Sequence, residues 1–296
     1  MRGPTELEPS TAFEIAPQLR TVQIWEGPGV ILGSGNPQLV SYTNYSNAFP
    51  PDSVPCYLEI LRSCPSLQEF TCFYSHNHRR SRAVRPPIHA PLLRSFRGCH
   101  PDLMKSLVVE NLEKMGVEAR TGMSFPRNSL LGVRDMFARS QCRSLSELSF
   151  TDAVIDNHIL EILPLVPALE TLKFHFYSWV DKEDEETVFS EMFRLMTETW
   201  DNGTHKIVPA LQEFSFTICP YNDNDEAKWD SVRCIDSTFV EMLVSRAGTT
   251  LSKVKVESSI FIPRHFSRGD IRTLKSLGNR GLKVSINGFD IFPPLY

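Results

Sequence analysis

The sequence predicts an α/β chain in which short strands form one curved parallel sheet on a concave face, with helices and loops on the convex face. Two observations predict it. A phrase of the form x-Leu-x-x-Φ-x-Φ, with Φ apolar, recurs along the chain and is usually introduced by a proline. Segments with apolar residues at helical spacing lie between its copies. A phrase that returns every few tens of residues marks a protein of stacked repeats. Strands alternating with helices imply a parallel sheet with the helices outside.

The clearest copies are Pro17-Gln18-Leu19-Arg20-Thr21-Val22-Gln23-Ile24, Pro65-Ser66-Leu67-Gln68-Glu69-Phe70-Thr71-Cys72, Pro167-Ala168-Leu169-Glu170-Thr171-Leu172-Lys173-Phe174 and Pro209-Ala210-Leu211-Gln212-Glu213-Phe214-Ser215-Phe216. Weaker copies begin at Leu39, Leu93, Leu112, Leu145 and Leu251. Steps between successive leading leucines are 20, 28, 26, 19, 33, 24, 42 and 40 residues. Five of these lie at or near the ~20–29 residues of a leucine-rich repeat. In each unit the Φ-x-Φ segment reads as a period-2 strand with its apolar side chains inward. The proline disfavours a helical residue before it, which ends the helix upstream. One unit cannot bury its own apolar face, so units stack and share a core.

The return helices follow from periodicity and caps. Thr238 reads as an N-cap with Glu241 three positions on, before Phe239, Val240, Leu243, Val244 and a stop at Gly248. Val188, Phe189, Met192, Phe193, Leu195, Met196 and Trp200 form the strongest amphipathic pattern, after an acidic run at residues 181–186. Leu130, Leu131, Val133, Met136 and Phe137 make another, and Asp156 caps a short one through Ile159, Leu160 and Leu163. Residues 57–63 and 270–277 are shorter candidates. Loops are expected at residues 27–36, 76–87, 116–128, 181–186, 202–206 and 220–230. The expected organisation is a short N-terminal segment, residues 1–12, then one domain of about nine to ten irregular repeats over residues 13–296.

Totals narrow the function classes. A net charge of −4 gives no reason to expect nucleic acid. No apolar run approaches the ~20 residues that span a bilayer, so no membrane contact is expected. Residues 1–10 carry no apolar stretch and do not read as a secretory signal. The sequons at Asn44 and Asn202 are therefore expected to be unused, the seven cysteines to be reduced thiols, and the protein to lie in cytoplasm or nucleus.

Sites that could carry chemistry read as structural. The glycine-rich residues 27–35 lack the helix and spacing of a phosphate loop, and Pro37 follows. Cys72, His76 and His78 lack zinc spacing. The basic residues 78–85 suit an acidic partner or a nuclear address, but a solvated loop is the simpler reading. The acidic runs at 181–186 and 223–226 read as solvated loops. Cys99 and His100 are sequence neighbours and point apart. No nucleophile, metalloprotease or nucleotide signature occurs, so neither an enzyme nor a cofactor or metal is expected.

The concave face remains. By strand register its exposed side chains are Thr21, Gln23 and Trp25; Glu69, Thr71 and Phe73; Ser95 and Arg97; Glu147, Ser149 and Thr151; Thr171, Lys173 and His175; Glu213, Ser215 and Thr217; Lys253, Lys255 and Glu257. Mixed polar groups with a few aromatics suit a protein ligand.

Arg62-Ser63-Cys64-Pro65-Ser66-Leu67, followed by Phe70 and Cys72, resembles the Cys-Pro-x-Leu-x-x-Leu-x-Leu core of leucine-rich repeats in F-box proteins. Residues 159–174, Ile-Leu-Glu-Ile-Leu-Pro-Leu-Val-Pro-Ala-Leu-Glu-Thr-Leu-Lys-Phe, resemble the divergent fungal F-box and ribonuclease-inhibitor-like family. The strand is not followed by the usual turn asparagine; Glu26, Tyr74, Asp152 and His175 or Phe176 sit near that place. The F-box module itself is not found, and residues 1–12 are too short to hold one. The resemblance implies a non-catalytic receptor whose repeats select a protein client for ubiquitination, with a cullin-ligase adaptor as partner where an F-box is present. The alternatives are a stand-alone repeat scaffold or inhibitor, and an enzyme with an unrecognised site.

Overall fold

Seven of the nine leucine-led phrases enter their strands through a turn that the leucine N–H closes on the carbonyl three residues back. In the computed structural model, which describes residues 16, 18–25, 36–45, 53–72, 86–118, 126, 128–177, 179, 183–218, 232–258, 266–286 and 289–290, the fold is α/β with its main strands parallel. The chain divides into two compact units, Met1–Ser144 and Leu145–Tyr296.

In the first unit the order is β1 (Thr21–Ile24), β2 (Ser41–Asn44), α1 (Ser53–Ser63), β3 (Glu69–Cys72), β4 (Ile88–His89), β5 (Ser95–Arg97), α2 (Pro101–Met104), β6 (Leu107–Val108), β7 (Lys114–Glu118) and α3 (Ser129–Ser140). Strands β1, β2, β3, β5 and β7 pair in that order, all parallel. Register aligns Val22, Tyr42, Phe70, Phe96 and Met115 in one inward column. Its rings stack, Tyr42 on Phe70 at 5.3 Å and Phe70 on Phe96 at 6.1 Å between centroids. Strands β4 and β6 form a separate parallel pair that no phrase marks.

In the second unit the order is β8 (Glu147–Thr151), α4 (His158–Ile162), a 3-10 turn (Leu163–Leu165), β9 (Thr171–Phe176), α5 (Glu183–Thr197), β10 (Glu213–Ile218), α6 (Ser237–Arg246), β11 (Lys253–Ser258), α7 (Arg268–Gly278), β12 (Lys283–Ile286) and β13 (Phe289–Asp290). Strands β8 to β12 pair in sequence order, parallel, and β13 closes on β12 antiparallel. The columns Leu148-Leu172-Phe214-Val254-Val284 and Phe150-Phe174-Phe216-Val256-Ile286 point inward and are buried.

The prolines do more than stop helices. The leading leucine N–H donates to the carbonyl three residues back at Asn36/Leu39, Cys64/Leu67, Ala90/Leu93, Val166/Leu169 and Val208/Leu211, over 3.1–3.2 Å. Each closes a β-turn whose second position is a proline: Pro37, Pro65, Pro91, Pro167 and Pro209. Proline is pre-set for that position by its fixed φ. The copies at Leu39 and Leu93, weak by their strand residues, thus carry the full turn.

A second hydrogen-bond pattern ties successive turns together. The carbonyl after each leading leucine accepts two successive N–H groups of the next strand. Arg20 accepts from Val40 and Ser41, Val40 from Gln68 and Glu69, Gln68 from Arg94 and Ser95, and Arg94 from Glu113 and Lys114, at 2.8–3.1 Å. In the second unit Ser146 accepts from Glu170 and Thr171, Glu170 from Gln212 and Glu213, and Gln212 from Ser252 and Lys253, at 2.8–3.0 Å. The last strand breaks the spelling but not the ladder. Lys283 N–H donates to Ser252 at 2.9 Å, the leucine has moved to Leu282, and Gly281, at φ 87°, stands where it would be. Past β8, Asp152 ties the turn to the next strand: its Oδ1 accepts Tyr177 N–H at 2.7 Å and its own N–H donates to His175 at 2.8 Å.

Several local expectations change. The cap of α6 is Asp236, whose carboxylate accepts Thr238 N–H at 2.8 Å; Thr238 lies inside the first turn. Helix α7 starts earlier than the pattern, behind a reciprocal capping box of Ser267 and Asp270. The span 116–128 is not all loop, since β7 runs to Glu118. The acidic run is partly helical. Helix α5 begins at Glu183, Glu185 is buried with its carboxylate accepting Ile155 N–H at 3.1 Å, and Glu186 accepts Arg233 N–H at 2.7 Å. The Ile155 N–H would otherwise be buried without a partner, which is costly. Trp200 lies past the end of α5, 59% exposed, with the Lys206 ammonium 5.4 Å from its ring.

One cation belongs to the core. Arg246, at the end of α6, has no exposed surface. Its Nε donates to Met196 at 3.0 Å, Nη1 to Val208 at 3.0 Å and Nη2 to Ile207 at 2.6 Å, all backbone carbonyls. Val208 sits at φ 42°, a rare conformation for a β-branched residue. Thus Arg246 clamps the strained entrance of the Leu211 turn.

Leucine burial sets a graded expectation. Leu169 and Leu211 are fully buried, whereas Leu19 is half-buried. Substituting alanine at Leu211 should cost about 2–5 kcal/mol, and Leu19→Ala clearly less. Urea melts of the two variants check this.

Candidate functional site

The outward strand positions form rows, described for each unit separately. In the first unit, register places Thr21, Ser41, Glu69, Ser95 and Lys114 in one row, and Gln23, Thr43, Thr71, Arg97 and Gly116 in the next. Thr21, Gln23, Glu69, Arg97 and Lys114 are exposed, and Ser41, Thr43, Thr71 and Ser95 are half-buried. Trp25 is 63% exposed and stacks on Tyr45 with centroids 4.4 Å apart and planes 18° from parallel. Phe73 lies outside the described residues. Burial raises the Glu118 carboxyl, and the Arg97 charge partly offsets it.

In the second unit the rows are Glu147, Thr171, Glu213, Lys253 and Lys283; then Ser149, Lys173, Ser215, Lys255 and Ser285; then Thr151, His175, Thr217 and Glu257. Charges pair across the strands, Lys173 with Glu147 at 2.6 Å and Lys253 with Glu213 at 2.9 Å, and along β11, Lys255 with Glu257 at 2.7 Å. Such partly exposed pairs contribute about 0–1 kcal/mol, so they set pattern rather than stability. Ser215 and Thr217, read as exposed, are buried, each 8% accessible. Both are short, and Ser215 lies in register between Lys173 and Lys255.

His175 lies in the third of these rows. It packs against Tyr177 at 4.6 Å, and its Nε2 is buried without a hydrogen-bond partner. Burial lowers its basicity; Asp152 and Glu257 oppose that shift and Lys255 adds to it. His205, away from the face, is also lowered, by burial and then by Arg246. A depressed imidazole gives stability that is full above the unfolded value near ~6.5 and is lost as pH falls through that value toward the folded one. The second unit should therefore weaken on mild acidification. Urea midpoints across that range should show it, and His175→Gln with His205→Gln should flatten the profile.

Burial pushes the thiols of Cys64 and Cys142 up to about 11 and about 12, and burial also raises Cys72 well above the ordinary thiol value. Thiols shifted in that direction are poor nucleophiles. His100 Nδ1 caps α2 by accepting Asp102 N–H at 3.2 Å. Among the described residues no group of three or more His, Cys, Asp or Glu could hold a metal, and no helix is long and apolar enough to cross a membrane. The glycine-rich residues 27–35, the histidines at 76 and 78, the basic run and the acidic residues 223–226 lie outside the described residues.

Sequence reading missed part of the face. Ser41 and Thr43 stand on β2 with Tyr45 just past its end, Lys114 and Glu118 on β7, Lys283 and Ser285 on β12. Counting two and four places from Leu39 and Leu112 finds the first strands; the shifted leucine hides the third. No family model matches the chain, and no curated protein matches it.

Proposed function

We propose that the chain is a leucine-rich-repeat solenoid whose outward strand rows are a protein-recognition surface, and that it works without catalysis. The supporting observation is the recurrence, within each unit, of one proline turn, one shared carbonyl ladder and one register. That regularity holds polar side chains of neighbouring strands side by side, about 4.7–4.9 Å apart, as a rigid platform for a protein client. Trp25 on Tyr45 supplies an aromatic anchor in one unit and the Lys/Glu lattice supplies charge selectivity in the other.

By resemblance the client is a substrate of a cullin-based ubiquitin ligase, met in cytoplasm or nucleus, with the ligase adaptor as second partner. The test is affinity purification of the full native protein. Recovery of the adaptor, together with a client lost on charge reversal at Lys173 and Lys255, supports the ligase role. Recovery of such a client without the adaptor moves the protein to a scaffold or inhibitor role. Retention of every partner by the reversed face refutes the recognition surface.

A further inference from the structure

The connection between α5 and β10 carries a reactive group that the recognition face does not use. Thr199 and His205 pair as an antiparallel bridge, and Trp200 N–H donates to Thr204 at 2.8 Å. At the tip, Asn202 Oδ1 accepts Thr204 N–H at 2.9 Å, and Gly203 N–H donates to Trp200 at 2.8 Å. Asn202, Gly203 and Thr204 are exposed. Gly203 has φ 79°, and nothing lies within 4 Å of where a Cβ would stand.

We infer that Asn202 is the deamidation site of the folded protein among the described asparagines. The Gly203 backbone nitrogen attacks Asn202 Cγ, forming the new C–N bond of a five-membered succinimide. The side-chain nitrogen leaves as ammonia, taking the proton that Gly203 nitrogen gives up. Water then opens the ring at either carbonyl, leaving aspartate or, with the backbone rerouted through the side chain, isoaspartate. No electron changes hands, and water is the sole co-reactant.

The geometry favours this position for three reasons. Thr204 N–H already donates to the oxygen that becomes the oxyanion of the tetrahedral intermediate, the placement that lowers such barriers. Glycine brings no Cβ against the attack. Exposure admits water and base. The Gly203 bond to Trp200 opposes it, because that N–H must be released before its nitrogen can attack.

Other described asparagines lack the combination. Asn36 and Asn44 are buried, and Asn36 precedes Pro37, which has no N–H. Asn111, Asn128, Asn157 and Asn279 precede Leu112, Ser129, His158 and Arg280, whose side chains crowd the attacking nitrogen. Conversion adds an anion at the tip of a hairpin whose base carries the Glu198–Lys206 pair at 3.2 Å. The isoaspartate form also adds a backbone atom inside the hairpin closed by Thr199 and His205.

The test is incubation of the folded full chain in heavy-oxygen water at mildly alkaline pH, then peptide mapping with isoaspartate methyltransferase. Expected is heavy oxygen at position 202 in both acid forms, with the other described asparagines still amides. Asn202→Gln should abolish the label at that position, and Gly203→Ala should slow it. Position 202 remaining an amide while a synthetic peptide of residues 198–206 converts fully would overturn the inference. So would faster conversion at Asn111, Asn128, Asn157 or Asn279.

Discussion

Replacing Arg246 with methionine should destabilise the second unit by about 3 kcal/mol or more, because three buried carbonyls lose a donor and each such loss costs about 1–3 kcal/mol. Methionine keeps much of the length but none of the donors. Relief opposes this loss, since burial pushes the guanidinium down to about 10 and among the described residues no carboxylate pairs with it. It remains a cation at neutral pH, and its compensation is the three carbonyls at 2.6–3.0 Å. The carbonyl term wins, because Val208 at φ 42° stores about 1–3 kcal/mol of strain and holds that shape only while its surroundings fix it. Arg246→Lys should recover little, since an ammonium cannot span three acceptors in a plane. Urea unfolding followed by Trp179 and Trp200 fluorescence measures the loss. Arg194→Met is the control. Its exposed pairs with Glu191 and Glu198, at 2.7 and 3.2 Å, predict a change of about 0–1 kcal/mol. An Arg246→Met protein as stable as that control contradicts the clamp.

Gly98→Ala should cost the first unit about 1–3 kcal/mol through overpacking, with backbone strain added. A methyl there would stand 2.7 Å from the Cys72 carbonyl oxygen and 3.0 Å from its sulfur, at φ 157°. The obstacle at 2.7 Å is backbone of β3, which cannot swing aside like a side chain. Gly98 cannot retreat either, because its N–H is tied to Gly116 at 2.9 Å. Gly269→Ala in α7 is the control. Its new methyl would meet the Ser267 hydroxyl at 3.3 Å, and helix propensity favours alanine. A lowered urea midpoint for Gly98→Ala but not Gly269→Ala is the expected outcome. Equal midpoints would show that β3 and β5 are not packed this closely.

Features set by residues adjacent in sequence were legible. Leucines 39, 67, 93, 112, 145, 169, 211 and 251 are all buried, and period-2 alternation placed the inward columns correctly. What failed depended on distant neighbours. Arg246 looks like an ordinary basic residue in the last turn of a helix, because its acceptors lie 38–50 residues earlier. Glu185 looks solvated, because the N–H it satisfies belongs to Ile155. Asp236 and Thr238 are both chemically able to cap α6, and the extended backbone at Asp236 decides between them. Of the face, the polar rows were legible, but the burial of Ser215 and Thr217 was not, since both are short residues set in register between two flanking strands that the local sequence does not reveal.

Site-specific photo-crosslinking tests the recognition surface most directly. A crosslinking residue placed at Thr43, Thr71, Ser149 or Ser285 reports on the strand rows. One placed at Glu59 in α1, or at Thr187 or Arg194 in α5, reports on exposed helix positions. The predicted result is that, within each unit, the strand positions capture a client and the helix positions do not. Capture of that client from the helices, with the strand rows silent, would contradict it.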